Sequence, residues 1–284
     1  MIKTIKNFSE LVMFKHTVFA LPFIFIAMII SSQGWFGWKF LFLGTVCAVG
    51  ARNFAMGFNR YVDIDIDKKN KRTASRPSVD GRISRKYLIF FIWSNALVFV
   101  FVAYFINSLA FKLSFPVLAC LAGYSYFKRF SSLSHLVLGV SLGFAPIAGA
   151  IVVQESVPIW SLYLSFAVMF WVAGFDILYS LQDIKIDKQL KLYSIPSKYG
   201  FDASIIISRC FHGVAVVFWA LFSFSYGVGV FGYVAVVLSA VMLGAEHYIV
   251  SKDFKKIDKA FFTINGYLSI IYLLLIVLDK TINI

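Results

Sequence analysis

The sequence predicts an all-α, polytopic integral membrane protein with nine transmembrane helices around a central cavity. Three observations carry that expectation. Of 284 residues, 60% are hydrophobic and 14% charged, with mean hydropathy +0.81, more apolar surface than a water-soluble domain can cover. The apolar residues fall in runs of about 17–25, the length that crosses a hydrocarbon core as a helix. Lys and Arg collect in every second connector between those runs, as membrane insertion dictates.

The first span is expected at residues 18–32. Lys3, Lys6 and Lys15 precede it as in a signal peptide, but no small-residue cleavage site leads into a polar domain, so it reads as a retained span. Trp35 and Trp38 follow in a connector suited to the membrane interface. The second span, 40–58, runs into an acidic ladder and then the longest basic loop, 68–86. The third and fourth, 87–106 and 111–127, end at Lys128-Arg129. In the fifth, 136–153, Gly139, Gly143, Pro146 and Gly149 permit close helix packing or a kink. The sixth, 159–181, ends in a second acidic ladder. Only Ser225-Tyr226-Gly227 separates the seventh, 204–224, from the eighth, 228–250, a tight hairpin; the ninth is 261–278. The whole chain, 1–284, reads as a single domain.

The net charge is +13. Because the positive residues sit in short loops between apolar spans, including Lys68, Lys69, Lys128, Lys188, Lys255 and Lys256, insertion topology accounts for them and nucleic-acid binding is not implied. The same bias places the N-terminus and both ladders in the cytoplasm, in a cell inner membrane. Cys47, Cys120 and Cys210 stand alone in apolar stretches and read as small buried hydrophobes. His16, His135, His212 and His247 are scattered and read as packing or interfacial residues. Only His135, about two turns beyond Lys128-Arg129, merits a functional test.

The two ladders carry the chemistry. Asn59, Asp63 and Asp67 are four apart, with Asp65 beside them; Asp183 and Asp187 repeat that step, and Asp176 lies seven residues earlier on the same face. On a straight helix the first set makes a column roughly 12 Å tall. Like charges so spaced repel, and a divalent cation removes the cost. Oxygen donors without nearby His or Cys suit Mg²⁺ rather than Zn²⁺, and Mg²⁺ is commonly held by one or two carboxylates plus substrate phosphates. Two such clusters facing each other would share one diphosphate, with Arg72, Arg76, Lys128, Arg129 and Lys185 as cations for its oxygens. Arg52 and Asp176 lie about two turns deeper, where ionisable groups must pair or face a wet cavity. They read either as a structural Arg52–Asp176 pair or as a polar floor that orients a second substrate. The ladder correspondence also hints at an internal duplication with a period of about four spans. A secondary transporter using intramembrane Asp and Arg is the alternative from another class.

These residues carry a resemblance. NRYVDIDID (Asn59–Asp67), DILYSLQDIKID (Asp176–Asp187), YSYFKRFSSLSHLVLGVSLGFAPIAGA (Tyr124–Ala150), KRTASRP (Lys71–Pro77) and SIPSKYG (Ser194–Gly200) are similar to motifs of the UbiA superfamily of membrane prenyltransferases. Arg60 stands where many members have an Asp. Within the superfamily the chain most resembles 4-hydroxybenzoate polyprenyltransferases and the similar enzyme of the futalosine route to menaquinone. The resemblance implies Mg²⁺-dependent transfer of a prenyl chain from a polyprenyl diphosphate to an aromatic acid in quinone (ubiquinone or menaquinone) biosynthesis, releasing diphosphate. It implies catalytic roles for Asp63, Asp67, Asp183, Asp187, Asp176 and Arg52, with Asn59, Asp63, Asp67, Asp183 and Asp187 around the metal. Arg72, Lys128, Arg129 and Lys185 would hold the diphosphate, and Tyr61, Tyr124 and Tyr179, which lie near the motifs, are the aromatic candidates for stabilising the allylic cation. A haem O synthase-type farnesyltransferase is the alternative within the class.

Overall fold

A computed structural model describes residues 2–13, 17–254 and 257–282. Its helices are α1 (Ile2–Leu11), α2 (Thr17–Ser32), α3 (Gly37–Val62), α4 (Ile64–Asp67), α5 (Arg85–Ile106), α6 (Ser108–Phe127), α7 (Ser134–Gln154), α8 (Ile159–Ser180), α9 (Ile184–Gln189), α10 (Ile195–Tyr199), α11 (Phe201–Tyr226), α12 (Val230–Lys252) and α13 (Ile257–Ile282). No strand occurs among the described residues. Among them, 8 stretches are helical, long and apolar enough to cross a membrane, α8 and α9 counting as one. The expected first span is α2, 16 residues, about 24 Å long and short of the roughly 30 Å hydrocarbon core. The protein is a multi-pass membrane protein, with eight long helical spans and this shorter ninth among the described residues.

The ends of the helices follow from local chemistry. Asn107 is extended between α5 and α6, and its side chain accepts the Ala110 N–H at 2.8 Å while donating to Ile151 O at 2.6 Å. Gly227, at φ 76, closes α11 where a side chain would be strained. The Asp279 carboxylate of α13 accepts the N–H groups of Gly229 (2.8 Å) and Phe231 (3.1 Å), capping α12 from a neighbouring helix. The tight hairpin expected between spans seven and eight is therefore present, and its free N–H groups are satisfied.

Six helices, α2, α7, α8, α11, α12 and α13, pack each on the next in a closed ring, α13 returning to α2. A second group, α3, α5 and α6, is in mutual contact and joins the ring through α7 and α2. Lipid is as apolar as Leu, so close packing and interhelical hydrogen bonds hold helices together there. Gly143 provides the closeness: a Cβ on it would stand 3.0 Å from Ser165 O and 3.3 Å from Met169 Cβ of α8. Gly149 does the same against α2, where a Cβ would meet Ala27 Cβ at 2.8 Å. Inside the ring, Phe23, Trp171, Trp219 and Tyr272 are fully buried. Trp171 Nε1 donates to Asn265 Oδ1 at 2.7 Å, and Asn265 Nδ2 to Glu246 Oε1 at 2.8 Å. His212 and His247 are the packing residues expected, joined at 3.0 Å, with His212 also on Trp171 O.

The cysteine expectation is corrected. Cys120 and Cys210 are exposed and Cys47 is half-buried, because a chain surrounded by lipid has no penalty for turning small apolar side chains outward. Lys15, His16, Lys255 and Lys256 lie outside the described residues.

Candidate active site

Neither ladder is a straight column. α3 stops at Val62, and Asp63 takes φ −94°, ψ 6° before the short α4 begins. The Asp63 carbonyl accepts Ile66 N–H at 3.0 Å and Asp67 N–H at 2.8 Å, so one residue ends α3 and starts α4. Asp183 repeats this at φ −99°, ψ 1°, between a 3-10 turn ending α8 and the short α9. Both occupy the bridge region, frequent among active-site residues. The matching breaks support the internal duplication hinted at by the ladder spacing.

The breaks turn the carboxylates toward cations. Lys128 Nζ bonds to Asp63 Oδ2, which also accepts Asn59 Nδ2 at 2.9 Å. The Asp63 side chain is 2% exposed, and its Oδ1 is buried without a hydrogen-bond partner, 3.8 Å from Arg129 Nη2. Burial pushes the Asp63 carboxyl up from its ordinary value, with the Lys128 ammonium opposing. Arg76 Nη1 meets both oxygens of Asp67 at 2.7 Å. The loop beyond α4 then crosses to the second ladder: Asn70 Nδ2 donates to Asp183 Oδ1 at 2.9 Å, Arg72 Nε to the same atom at 3.2 Å, and Arg72 Nη2 to Asp183 Oδ2. Asp187 Oδ2 accepts Ser194 Oγ at 2.9 Å and lies within the field of both Asp183 and Lys128. Asn70 and Arg72, on Asp183, thus join the two ladders, and Lys128, on Asp63, lies within the field of Asp187.

Two sequence candidates stand at the edge of this cluster. Lys185 is exposed and makes no ion pair among the described residues. Arg129 is committed to α4, donating to Val62 O at 2.6 Å and to both oxygens of Asp65, at 2.9 and 3.2 Å. That contact holds the exposed Asp65 carboxyl below its usual value.

Deeper in the helices, Arg52 and Asp176 do not pair with each other. Arg52 Nη2 donates to Val12 O and Met13 O, each at 3.2 Å, and its Nε is buried without a partner. Arg60 also grips this turn through Leu11 O at 3.3 Å. Backbone carbonyls at the C-terminal end of α1 thus supply the counter-dipole that a paired Asp would have supplied. Asp176 instead takes His135 Nδ1 at 2.7 Å on Oδ2. Tyr124 lies within the field of Arg52, Arg60 and Asp63, and Tyr179 Oη accepts Arg72 Nη1 at 3.0 Å. Sequence reasoning missed Asn70 and Ser194. Ser194 had a signal, since Ser before Ile-Pro is helix-start grammar, and it does cap α10.

The residues fit Mg²⁺. The donors are oxygens, and the unpartnered buried Asp63 Oδ1 is a hard ligand atom lacking a partner. Among the described residues no three His, Cys, Asp or Glu side chains converge closely enough to ligate a metal alone.

The profile described as the UbiA prenyltransferase family matches residues 20–271. A 4-hydroxybenzoate octaprenyltransferase of Saccharophagus degradans is 27% identical over 256 residues, covering 89% of this chain and 85% of that one. Among solved structures, a UbiA homolog from Aeropyrum pernix K1 in its apo form superposes with a TM-score of 0.85 at 30% identity, covering 93% of this chain and 98% of that one. A UbiA homolog from Archaeoglobus fulgidus bound to GPP and Mg²⁺ shares the fold with a TM-score of 0.75 at 18% identity, covering 95% and 99%.

Proposed function

The chain belongs to the UbiA prenyltransferase family, and from that premise we propose that it transfers a polyprenyl group from its diphosphate to a 4-hydroxybenzoate-like aromatic acid, a step of quinone biosynthesis. One observation carries this reading: the loop after the first ladder reaches the second, with Arg72 and Asn70 on Asp183, while Lys128 pairs with Asp63 and lies within the field of Asp187. A cluster so rich in both signs suits a metal-bound polyanion better than a neutral solute, and family membership displaces the transporter alternative.

Asn59, Asp63, Asp67, Asp183 and Asp187 would hold Mg²⁺ together with diphosphate oxygens, and bound Mg²⁺ neutralises charge developing on the leaving group. Lys128 and Arg72 neutralise Asp63 and Asp183 when substrate is absent, and hold diphosphate oxygens when it is present. The C1–O bond of the prenyl diphosphate breaks with its electron pair on the diphosphate, a ring carbon attacks C1, and loss of the ring proton restores aromaticity. Tyr124 and Tyr179 offer ring faces to the positive allylic carbon. Arg52, with its unpartnered Nε, would receive the acceptor carboxylate, and Asp176 its hydroxyl. Arg129 we assign to holding α4, and Lys185 to the basic loop surface rather than to substrate.

The membrane setting follows from the donor, whose isoprenoid tail dissolves in lipid while its head needs the polar cluster. We place this single-domain protein in the inner membrane, and the alternation of basic connectors supports the cluster and N-terminus facing the cytoplasm. Membranes containing the protein are incubated with labelled prenyl diphosphate and a panel of aromatic acids, with and without Mg²⁺, and products are weighed by mass spectrometry. The expected product is a C-prenylated hydroxybenzoate formed only with Mg²⁺. A farnesylated haem, or no product from any aromatic acid, would overturn the assignment.

A further inference from the structure

Asp176 and His135 form a contact that the diphosphate end does not use. His135 stands in the first turn of α7 and is 4% exposed, with Nδ1 2.7 Å from Asp176 Oδ2. The backbone decides which ring nitrogen carries hydrogen. Ile195 N–H donates to His135 Nε2 at 3.3 Å, so Nε2 presents its lone pair and Nδ1 keeps the proton it gives to Asp176. Asp176 Oδ1 makes no hydrogen bond among the described residues, and the side chain keeps 25% exposure. One oxygen is fixed and the other is presented.

The same short strap reaches the other substrate's end. Ser194, next to Ile195, donates to Asp187 Oδ2 at 2.9 Å. Ser194–Ile195 therefore touches a carboxylate of the metal–diphosphate cluster on one side and the histidine behind Asp176 on the other.

We propose that His135 is a positioning residue: it orients Asp176 so that the free Oδ1 accepts the ring hydroxyl of the acceptor, making the site selective for hydroxylated aromatics. This rests on the aromatic-acceptor reading above. A hydroxyl hydrogen-bonded to a carboxylate releases electron density into its ring, and the ring carbon beside it becomes the better nucleophile. No bond is made or broken by His135 itself. A site built to bond a hydroxyl rejects analogues that leave its acceptor oxygen unmet, so the orientation governs choice of acceptor as well as rate.

Turnover of His135→Leu and His135→Asn is measured in membranes with geranyl diphosphate, Mg²⁺ and 4-hydroxybenzoate. Losing a hydrogen bond to a charged group should raise the acceptor KM of the Leu variant by about tenfold or more, leaving the geranyl diphosphate KM within about twofold. The Asn variant, whose amide nitrogen sits near the Nδ1 position, should recover most of the loss. The double variant Asp176→Asn/His135→Leu should be no worse than Asp176→Asn alone, since both act through one contact. The melting shift given by geranyl diphosphate with Mg²⁺ reports that the Leu variant is folded. Should it lack that shift, His135→Gln takes its place, because its amide reaches toward Ile195 rather than Asp176. Equal rises in both KM values, or additive losses in the double variant, would overturn the proposal. If the wild-type protein turns over hydroxybenzoate while the Leu variant keeps its acceptor KM, the positioning role alone falls. If the wild type takes no hydroxylated aromatic acid, the acceptor reading falls and this role with it.

Discussion

Arg72 reaches Asp183 through two nitrogens, gives a third to Tyr179 Oη at 3.0 Å, and lies 5.2 Å over the Tyr179 ring. A Lys there keeps the charge but loses the planar fork and the stack. Arg72→Lys should therefore raise the KM for prenyl diphosphate by about tenfold, the size of one lost charge-assisted hydrogen bond, with the acceptor KM unchanged. Steady-state kinetics with each substrate varied in turn decides it; an unaltered KM would show that the fork is not used on the diphosphate. At this scale the sequence was informative about residue types and blind to their partners. The four-residue steps marked Asp63, Asp67, Asp183 and Asp187, because acidic side chains repeated on one face are costly without a cation. Nothing in the spacing announced that Arg129 would be committed to Val62 O and Asp65, or that Asn70 would reach Asp183 across 113 positions. Those contacts depend on where a loop folds back, which periodicity does not encode.

Among elements, α1 shows how a short helix is fixed beside the site. Phe8 stacks on Phe91 at 4.7 Å, Leu11 is buried, and Arg52 and Arg60 hold the carbonyls of residues 11–13. Glu10 adds a bidentate pair with Arg82, at 2.6 and 2.7 Å, which ties α1 to the loop beyond α4. The Arg82 hydrogen bonds hold the Glu10 carboxyl below its ordinary value. A lowered carboxylate adds stability that is complete above its unfolded pKa and lost as pH falls through the folded one. The protection of α1 amides, their exchange taken relative to the intrinsic rate at each pH, should therefore be constant from neutral pH down to about 5 and fall below the ordinary carboxylate range. Glu10→Gln should remove that step while leaving the arginine–carbonyl contacts. Identical profiles for the two proteins would show that the pair does not hold α1. The long helices were legible because about twenty apolar residues can do little else in a bilayer. The breaks at Asp63 and Asp183 were not, since one residue in the bridge conformation leaves no mark on hydropathy.

For the molecule as a whole, the closed ring of six helices holds most of the aromatic packing, and the group of three carries the first ladder. α3 and α8, one from each assembly, lead into matching bridge-conformation aspartates, so the candidate site is a seam between the two helix groups rather than a feature of either. In the proposed site neither ladder would suffice alone: each helix group supplies part of the oxygen set, and the loop beyond α4 brings Arg72 to Asp183. The ladder correspondence hints at an internal duplication, but the remaining sequence does not repeat visibly. Lipid-facing positions accept any apolar side chain, so an ancient correspondence there can fade without affecting the fold.

The central claim is that both halves bind one diphosphate through Mg²⁺. Detergent-purified protein is melted with Mg²⁺ alone, with a prenyl diphosphate alone, and with both together. Stabilisation should require both, reaching about 2.7 kcal/mol when the ligand stands at a hundred times its Kd, and should vanish in Asp63→Asn and Asp183→Asn alike. A shift that needs no Mg²⁺, or that survives either substitution, would contradict it.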